Sequence, residues 1–192
     1  LDGRRISSRG EIQNPECAVL LNGSNMTTLE SIFTNGKVTL TIQEDDVQLE
    51  DTATKVLLRS VSGNYFNIRQ LIANDPNYCV TINREELLDV VELADVAVHN
   101  VSEKMIKLTF DGENNCLLVE ANDVLGNHVK SEVDISCNTP FTMQMGMNSK
   151  YLGDALKSIS DETLTLELVS NVAPIIIRGE AYLEVVLPIK IR

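Results

Sequence analysis

The chain has 192 residues, 43% of them hydrophobic, no Trp, few aromatics and a formal net charge of −12. That is enough for one large or two small domains around an aliphatic core. An acidic balance of this size opposes tight, sequence-reading contact with DNA, which calls for a basic footprint, yet it allows a protein that surrounds nucleic acid without gripping it.

From the N-terminus, Leu1 to Ile12 reads as the last strand of a unit whose earlier part is cut off, and the absence of an initiator Met leads to the same expectation of a piece from a longer protein. A pattern of strand, polar cap, amphipathic helix and three alternating strands then recurs three times. The first copy opens with Cys17 to Leu21 and places a helix from about Asn25 to Thr34. Its strands are Val38 to Ile42, Val47 to Leu49 and Lys55 to Arg59. This helix is expected to follow Ser24, to bury Met26, Leu29, Ile32 and Phe33, and to stop at a left-handed Asn35-Gly36 cap.

The second copy opens with Val80 to Ile82. Asn83 is the natural N-cap of a helix reaching about His99, with Glu86 as the capping-box partner. Leu87, Val91, Ala94 and Val98 share one face, and Glu85, Glu86, Asp89 and Glu92 make the other acidic. Strands at Ile106 to Phe110, Cys116 to Val119 and Val129 to Val133 complete it. The third copy has Phe141 to Met145, a helix from Ser149 to Ile159 burying Leu152, Ala155, Leu156 and Ile159, then Leu164 to Leu168, Ile175 to Ile177 and Tyr182 to Ile191.

The strands alternate with period two, so each sheet buries one face. Turns are expected at Asp45-Asp46, Asp111-Gly112, Gly126-Asn127 and Arg178-Gly179. The fold class is therefore α+β: repeated β-α-β-β-β modules forming antiparallel sheets with helices on one face. Ser62-Gly63-Asn64 and Ala73 to Pro76 bracket the one linker-like stretch, which divides the chain into a truncated domain over 1–72 and a complete one over 73–192.

Chemistry-bearing motifs are few. Cys17, Cys79, Cys116 and Cys137 are widely spaced in apolar runs and read as buried reduced thiols of a cytosolic protein. The glycosylation-type triplets at Asn22, Asn25 and Asn100 are chance matches in that setting. His99 and His128 have no metal-ligand spacing around them, and the phosphate-binding glycine loops and the G-x-S-x-G nucleophile elbow are absent. Glu44-Asp45-Asp46 reads as solvated charge, so no metal, cofactor or catalytic residue is assigned and the chain is read as non-enzymatic.

Three segments carry a resemblance. Leu1-Asp2-Gly3-Arg4-Arg5-Ile6 resembles the T-D-G-H/R-R-L segment of the bacterial sliding clamp family, the beta subunit of DNA polymerase III. Tyr65 to Ile72, Y-F-N-I-R-Q-L-I, resembles that family's F/Y-P-x-Y-R-x-L/V-I/L linker between its middle and C-terminal domains. Val185 to Arg192, V-V-L-P-I-K-I-R, resembles its closing V-x-M/L-P-x-R/K-L. Phe66 stands where the linker usually has Pro, Ile68 where Tyr is common, and Arg4 where His is frequent.

The resemblance implies a DNA-clamp fold, with residues 1–72 as the C-terminal part of a middle domain plus linker and 73–192 as the C-terminal domain. It implies a non-catalytic, cytoplasmic processivity factor of DNA replication. Two full-length subunits would join head to tail as a homodimer around duplex DNA, held non-specifically, and the fragment alone would be monomeric. A cleft would capture short linear motifs of the polymerase III alpha subunit, the clamp loader and repair polymerases. Its implied lining is Gly3, Arg5, Ile6, Phe66, Gln70, Leu71, Tyr151, Val185, Leu187, Pro188, Ile189, Lys190 and Ile191. Arg84, Lys150 and Lys157 are the implied DNA-facing cations, set among the acidic residues already named.

Taken singly, Leu71, Val185 and Leu187 read as core residues and Arg5 and Lys190 as solvated charges. The joint match is what makes them a cleft. A repeat-built structural protein with no DNA role remains the rival reading.

Overall fold

The computed structural model describes residues 5–9, 19–34, 36–63, 72, 75–99, 103–122, 126, 128–180 and 182–191, with side chains from residue 19 onward. The chain forms two compact units, one of residues 11–67 and one of residues 1–10 with 68–192.

The smaller unit holds one module. Helix α1 spans Gly23–Ile32, followed by strands β2 (Thr39–Gln43), β3 (Asp46–Glu50) and β4 (Lys55–Arg59) in one antiparallel sheet. The N-cap is Asn22, not Ser24, because its side-chain oxygen accepts the Ser24 N–H at 3.1 Å. The expected buried stripe is only partly covered. Leu29 is buried, but Met26 is 52% and Ile32 40% exposed. Val19 to Leu21 do not form the expected strand. The Leu20 carbonyl accepts the Val61 N–H at 2.7 Å, and no ladder follows. The first hairpin turns at Glu44-Asp45, one residue earlier than expected, with Glu44 in the left-handed region at φ 52°.

The larger unit holds two complete modules. The first is β5 (Tyr78–Asn83), α2 (Arg84–Ala97), β6 (Met105–Asp111), β7 (Cys116–Asn122) and β8 (His128–Cys137). The second is β9 (Thr142–Asn148), α3 (Ser149–Ser158), β10 (Thr163–Leu168), β11 (Ile175–Arg178) and β12 (Tyr182–Val186). Helix α2 begins where its sequence signal predicts: the Asn83 side chain accepts the N–H groups of Glu85 and Glu86 at 2.9 and 3.1 Å.

With β1 (Arg5–Arg9), these strands form a nine-stranded sheet in the order β1-β12-β11-β10-β5-β8-β7-β6-β9. The modules exchange partners. The opening strand of each pairs with the first strand past the other's helix, β5 with β10 and β9 with β6. Each opening strand also meets the end of its own module: Val80 faces Cys137 of β8, and Gly146 of β9 bridges Ile189 just beyond β12.

The main core of this unit lies between its helices and strands. Leu87, Val91 and Ala94 of α2 and Leu152, Ala155 and Leu156 of α3 pack with Leu108, Phe110, Leu117, Leu164 and Leu166, all buried. Each large aliphatic or aromatic side chain among them contributes about 1.5–3 kcal/mol on leaving water. Cys79, Cys116 and Cys137 are free thiols, half-buried rather than enclosed. Among the described residues, no helix is long and apolar enough to cross a membrane.

Candidate functional site

The opening strand and the tail meet. β1 runs antiparallel to β12 with Arg5 opposite Val186, Ile6 opposite Val185 and Arg9 opposite Tyr182. Ile72, at the end of the linker-like segment, packs with Leu183 on Ile176 and Val185, forming a small apolar cluster separate from the main core. Start, linker end and tail therefore share one edge of the larger unit. Gly3, Phe66, Gln70 and Leu71 lie outside the described residues, and Arg5 and Ile6 are placed by their backbone alone.

Within the tail, burial sorts the expected lining into two groups. Val185 and Ile189 are buried in the unbound chain, whereas Leu187 and Pro188 are half-buried and Lys190 and Ile191 exposed. The accessible apolar residues of the tail are thus Leu187, Pro188 and Ile191. Such a surface suits an extended segment carrying a few apolar anchors. Tyr151 sits in the first turn of α3, half-buried against the main core, and its N–H is capped by the Asn148 side chain at 3.1 Å.

Two residues that position the tail were not singled out from sequence. Glu184 is fully buried in β12, where its carboxylate accepts the Ser158 hydroxyl of α3 at 2.7 Å and ties strand to helix. Its signal was a charge inside the apolar run Leu183 to Leu187. Gly146 lies where the tail crosses β9, and its carbonyl accepts the Ile189 N–H at 2.8 Å. Its signal was a glycine inside a strand pattern, a mark of close backbone approach.

The three cations expected to face DNA are all engaged by neighbours. The Arg84 guanidinium donates to the Asp161 carbonyl at 3.0 Å and pairs with Glu85 at 3.0 Å, and its side chain is only 16% exposed. Lys150 pairs with Asp154 at 2.6 Å, and Lys157 reaches from α3 to Glu92 of α2 at 2.7 Å. The hydrogen bond to Glu92 raises the Lys157 pKa above its ordinary value.

Between α2 and α3 lies a groove of about 310 Å³, with Val91, Val96 and Gly153 among its lining and Glu92, Asp95, Lys150, Asp154 and Lys157 around it. Burial opposes ionisation of Asp95. The Ser149 hydroxyl at 2.5 Å and Lys104 at 3.3 Å outweigh it, so the carboxyl titrates below the ordinary aspartate value. A surface whose cations are paired in this way exerts little long-range pull on phosphate. Among the described residues, no group of three His, Cys, Asp or Glu side chains could hold a metal ion.

Residues 69–189 match the family model of the DNA polymerase III beta subunit, C-terminal domain. The chain is 29% identical over 139 residues to the beta sliding clamp of Synechococcus elongatus, covering 70% of this chain and 36% of that protein. The structure resembles a putative DNA polymerase III beta subunit from Eubacterium rectale with a TM-score of 0.87 at 28% identity, covering 98% of this chain and 52% of the other. It also resembles a sliding clamp from Bartonella birtlesii bound to griselimycin, with a TM-score of 0.89 at 19% identity over 99% of this chain and 53% of the other. The chain thus spans between a third and about half of the length of these relatives.

Proposed function

The chain belongs to the DNA polymerase III beta subunit family, and we propose that it is the peptide-docking portion of a cytoplasmic, non-catalytic sliding clamp. In the complete protein, two subunits would close head to tail around duplex DNA and hold the replicative polymerase on its template. The surface at the tail would bind short linear motifs of the polymerase III alpha subunit, the clamp loader and repair polymerases.

The observation that carries this reading is the meeting of β1 with β12, with Ile72 packed on Val185 beside the accessible Leu187 and Pro188. A bound peptide would set apolar side chains on Leu187, Pro188 and Ile191. By the family resemblance Gly3 would let the backbone approach closely, and Ile6 and Leu71 would add aliphatic walls and Phe66 a flat one. Tyr151 and Gln70 would belong to a second, shallower part. Arg5 and Lys190 would meet polar or carboxylate groups of the peptide. A shallow site of this kind binds modestly, because ordering a flexible peptide offsets much of the apolar gain. The Bartonella birtlesii clamp, which shares this fold, was obtained with griselimycin bound, which is consistent with a ligand site on such a scaffold.

The family match disfavours a repeat-built structural protein without a DNA role. A labelled Gln-Leu-Ser-Leu-Phe peptide titrated with the folded chain should show saturable micromolar binding by fluorescence anisotropy. A flat titration at high micromolar protein would remove the docking reading.

A further inference from the structure

We infer that Gly146 is a positioning residue for the tail: the side chain it lacks leaves the space in which Leu187 to Ile191 cross β9. The inference rests on the clamp reading for its functional consequence and on geometry for its structural one. Gly146 is buried and faces Lys107 of β6 on one edge of β9. On the other edge it accepts the Ile189 N–H at 2.8 Å.

A Cβ at residue 146 would stand 2.5 Å from the Ile189 carbonyl oxygen, 3.2 Å from Ile191 Cγ1 and 3.3 Å from Met105 Sδ. The Met105 thioether can swing aside. The Ile189 oxygen is backbone, so no rotamer change relieves that contact, and the tail itself would have to retreat.

Backbone pairing between the tail and β9 is sparse. Among the described residues, Gly146–Ile189 is the one backbone bridge made beyond β12. In the other module the corresponding crossing is a ladder, with Val80, Thr81 and Ile82 of β5 opposite Cys137, Ser136 and Ile135 of β8. Pro188, next to Ile189, has no N–H with which to extend the tail's pairing. A displacement at one bridge therefore moves Leu187, Pro188 and Ile191 together, where displacement at a ladder would be resisted by its neighbours.

The test compares Gly146→Ala with Gly153→Ala, whose Cβ would make only an ordinary 3.8 Å contact with Val91. Two readouts are used, amide hydrogen exchange and anisotropy with the labelled Gln-Leu-Ser-Leu-Phe peptide. In Gly146→Ala the Ile189 amide should lose protection while Leu87 and Val91 of α2 exchange as in the parent, and Kd should rise about tenfold. Gly153→Ala should change neither readout.

An Ile189 amide that stays protected overturns the inference, as does an unchanged Kd in a chain whose parent binds the peptide. If the parent does not bind, the docking reading fails, and exchange at Ile189 still decides the role of Gly146. Should Gly146→Ala not fold, Ile189→Pro deletes the same N–H donor from the outer side. Trypsin should then cut after Lys190 faster than in the parent, and an unchanged cleavage rate overturns the inference.

Discussion

The Lys157 ammonium of α3 lies 2.7 Å from the Glu92 carboxylate of α2, and both side chains are about half exposed. This pair, with Lys150–Asp154 beside it, determines what charge the helix face offers to its surroundings. The variant Glu92→Gln would remove the ion-pair partner of Lys157. It should bind a labelled DNA duplex more tightly than the parent. Its plot of log affinity against log salt should steepen by about 0.9, the increment for one phosphate newly neutralised. An identical slope would show that Lys157 does not meet phosphate.

Leu187 is half-buried on the accessible side of the tail. Leu187→Asp places a charge where an apolar anchor would sit, and peptide affinity should fall at least about tenfold by anisotropy. Thermal melting should stay close to the parent, since Leu187 is not one of the buried core residues. Unchanged affinity would move the docking surface elsewhere.

Asp95 is held by Ser149 and Lys104 with its pKa below the ordinary aspartate value. A depressed folded-state pKa means stability present above the unfolded value, near 4, and lost as pH falls through the folded value. The denaturation midpoint of the parent should therefore exceed that of Asp95→Asn at neutral pH, and the gap should close in acid below about pH 4. A gap independent of pH would mean that Asp95 acts through shape alone.

Asn83→Ala removes the acceptor for the Glu85 and Glu86 N–H groups. Urea denaturation should report a loss of about 1 kcal/mol. Exchange at the first turn of α2 should rise most, and a neutral substitution would show that the cap is replaced by solvent.

Much of the fold is legible in the chain before any folding is considered. Asn83 announces its helix because a side-chain acceptor at the cap is a local requirement, satisfied within three residues. The alternation in Met105–Asp111 and Thr163–Leu168 appears as alternating burial because successive side chains leave a strand on opposite faces. The Met26 to Phe33 stripe misleads for the same reason. Periodicity records a face suited to burial, and in its unit only Leu29 of that stripe is buried.

The order of residues was sufficient to specify the two modules of the larger unit, the cap and acidity of α2 and, through three short segments, the family. It left open that β5 and β9 exchange partners between modules, that β1 lies along β12, and that the tail crosses β9 over Gly146, all of which emerge from the folded chain. Caps and periodicity are written within a few residues of one another, whereas a strand's hydrogen-bonding edge is generic. Any extended segment satisfies it, and the choice among them is made by how whole elements pack.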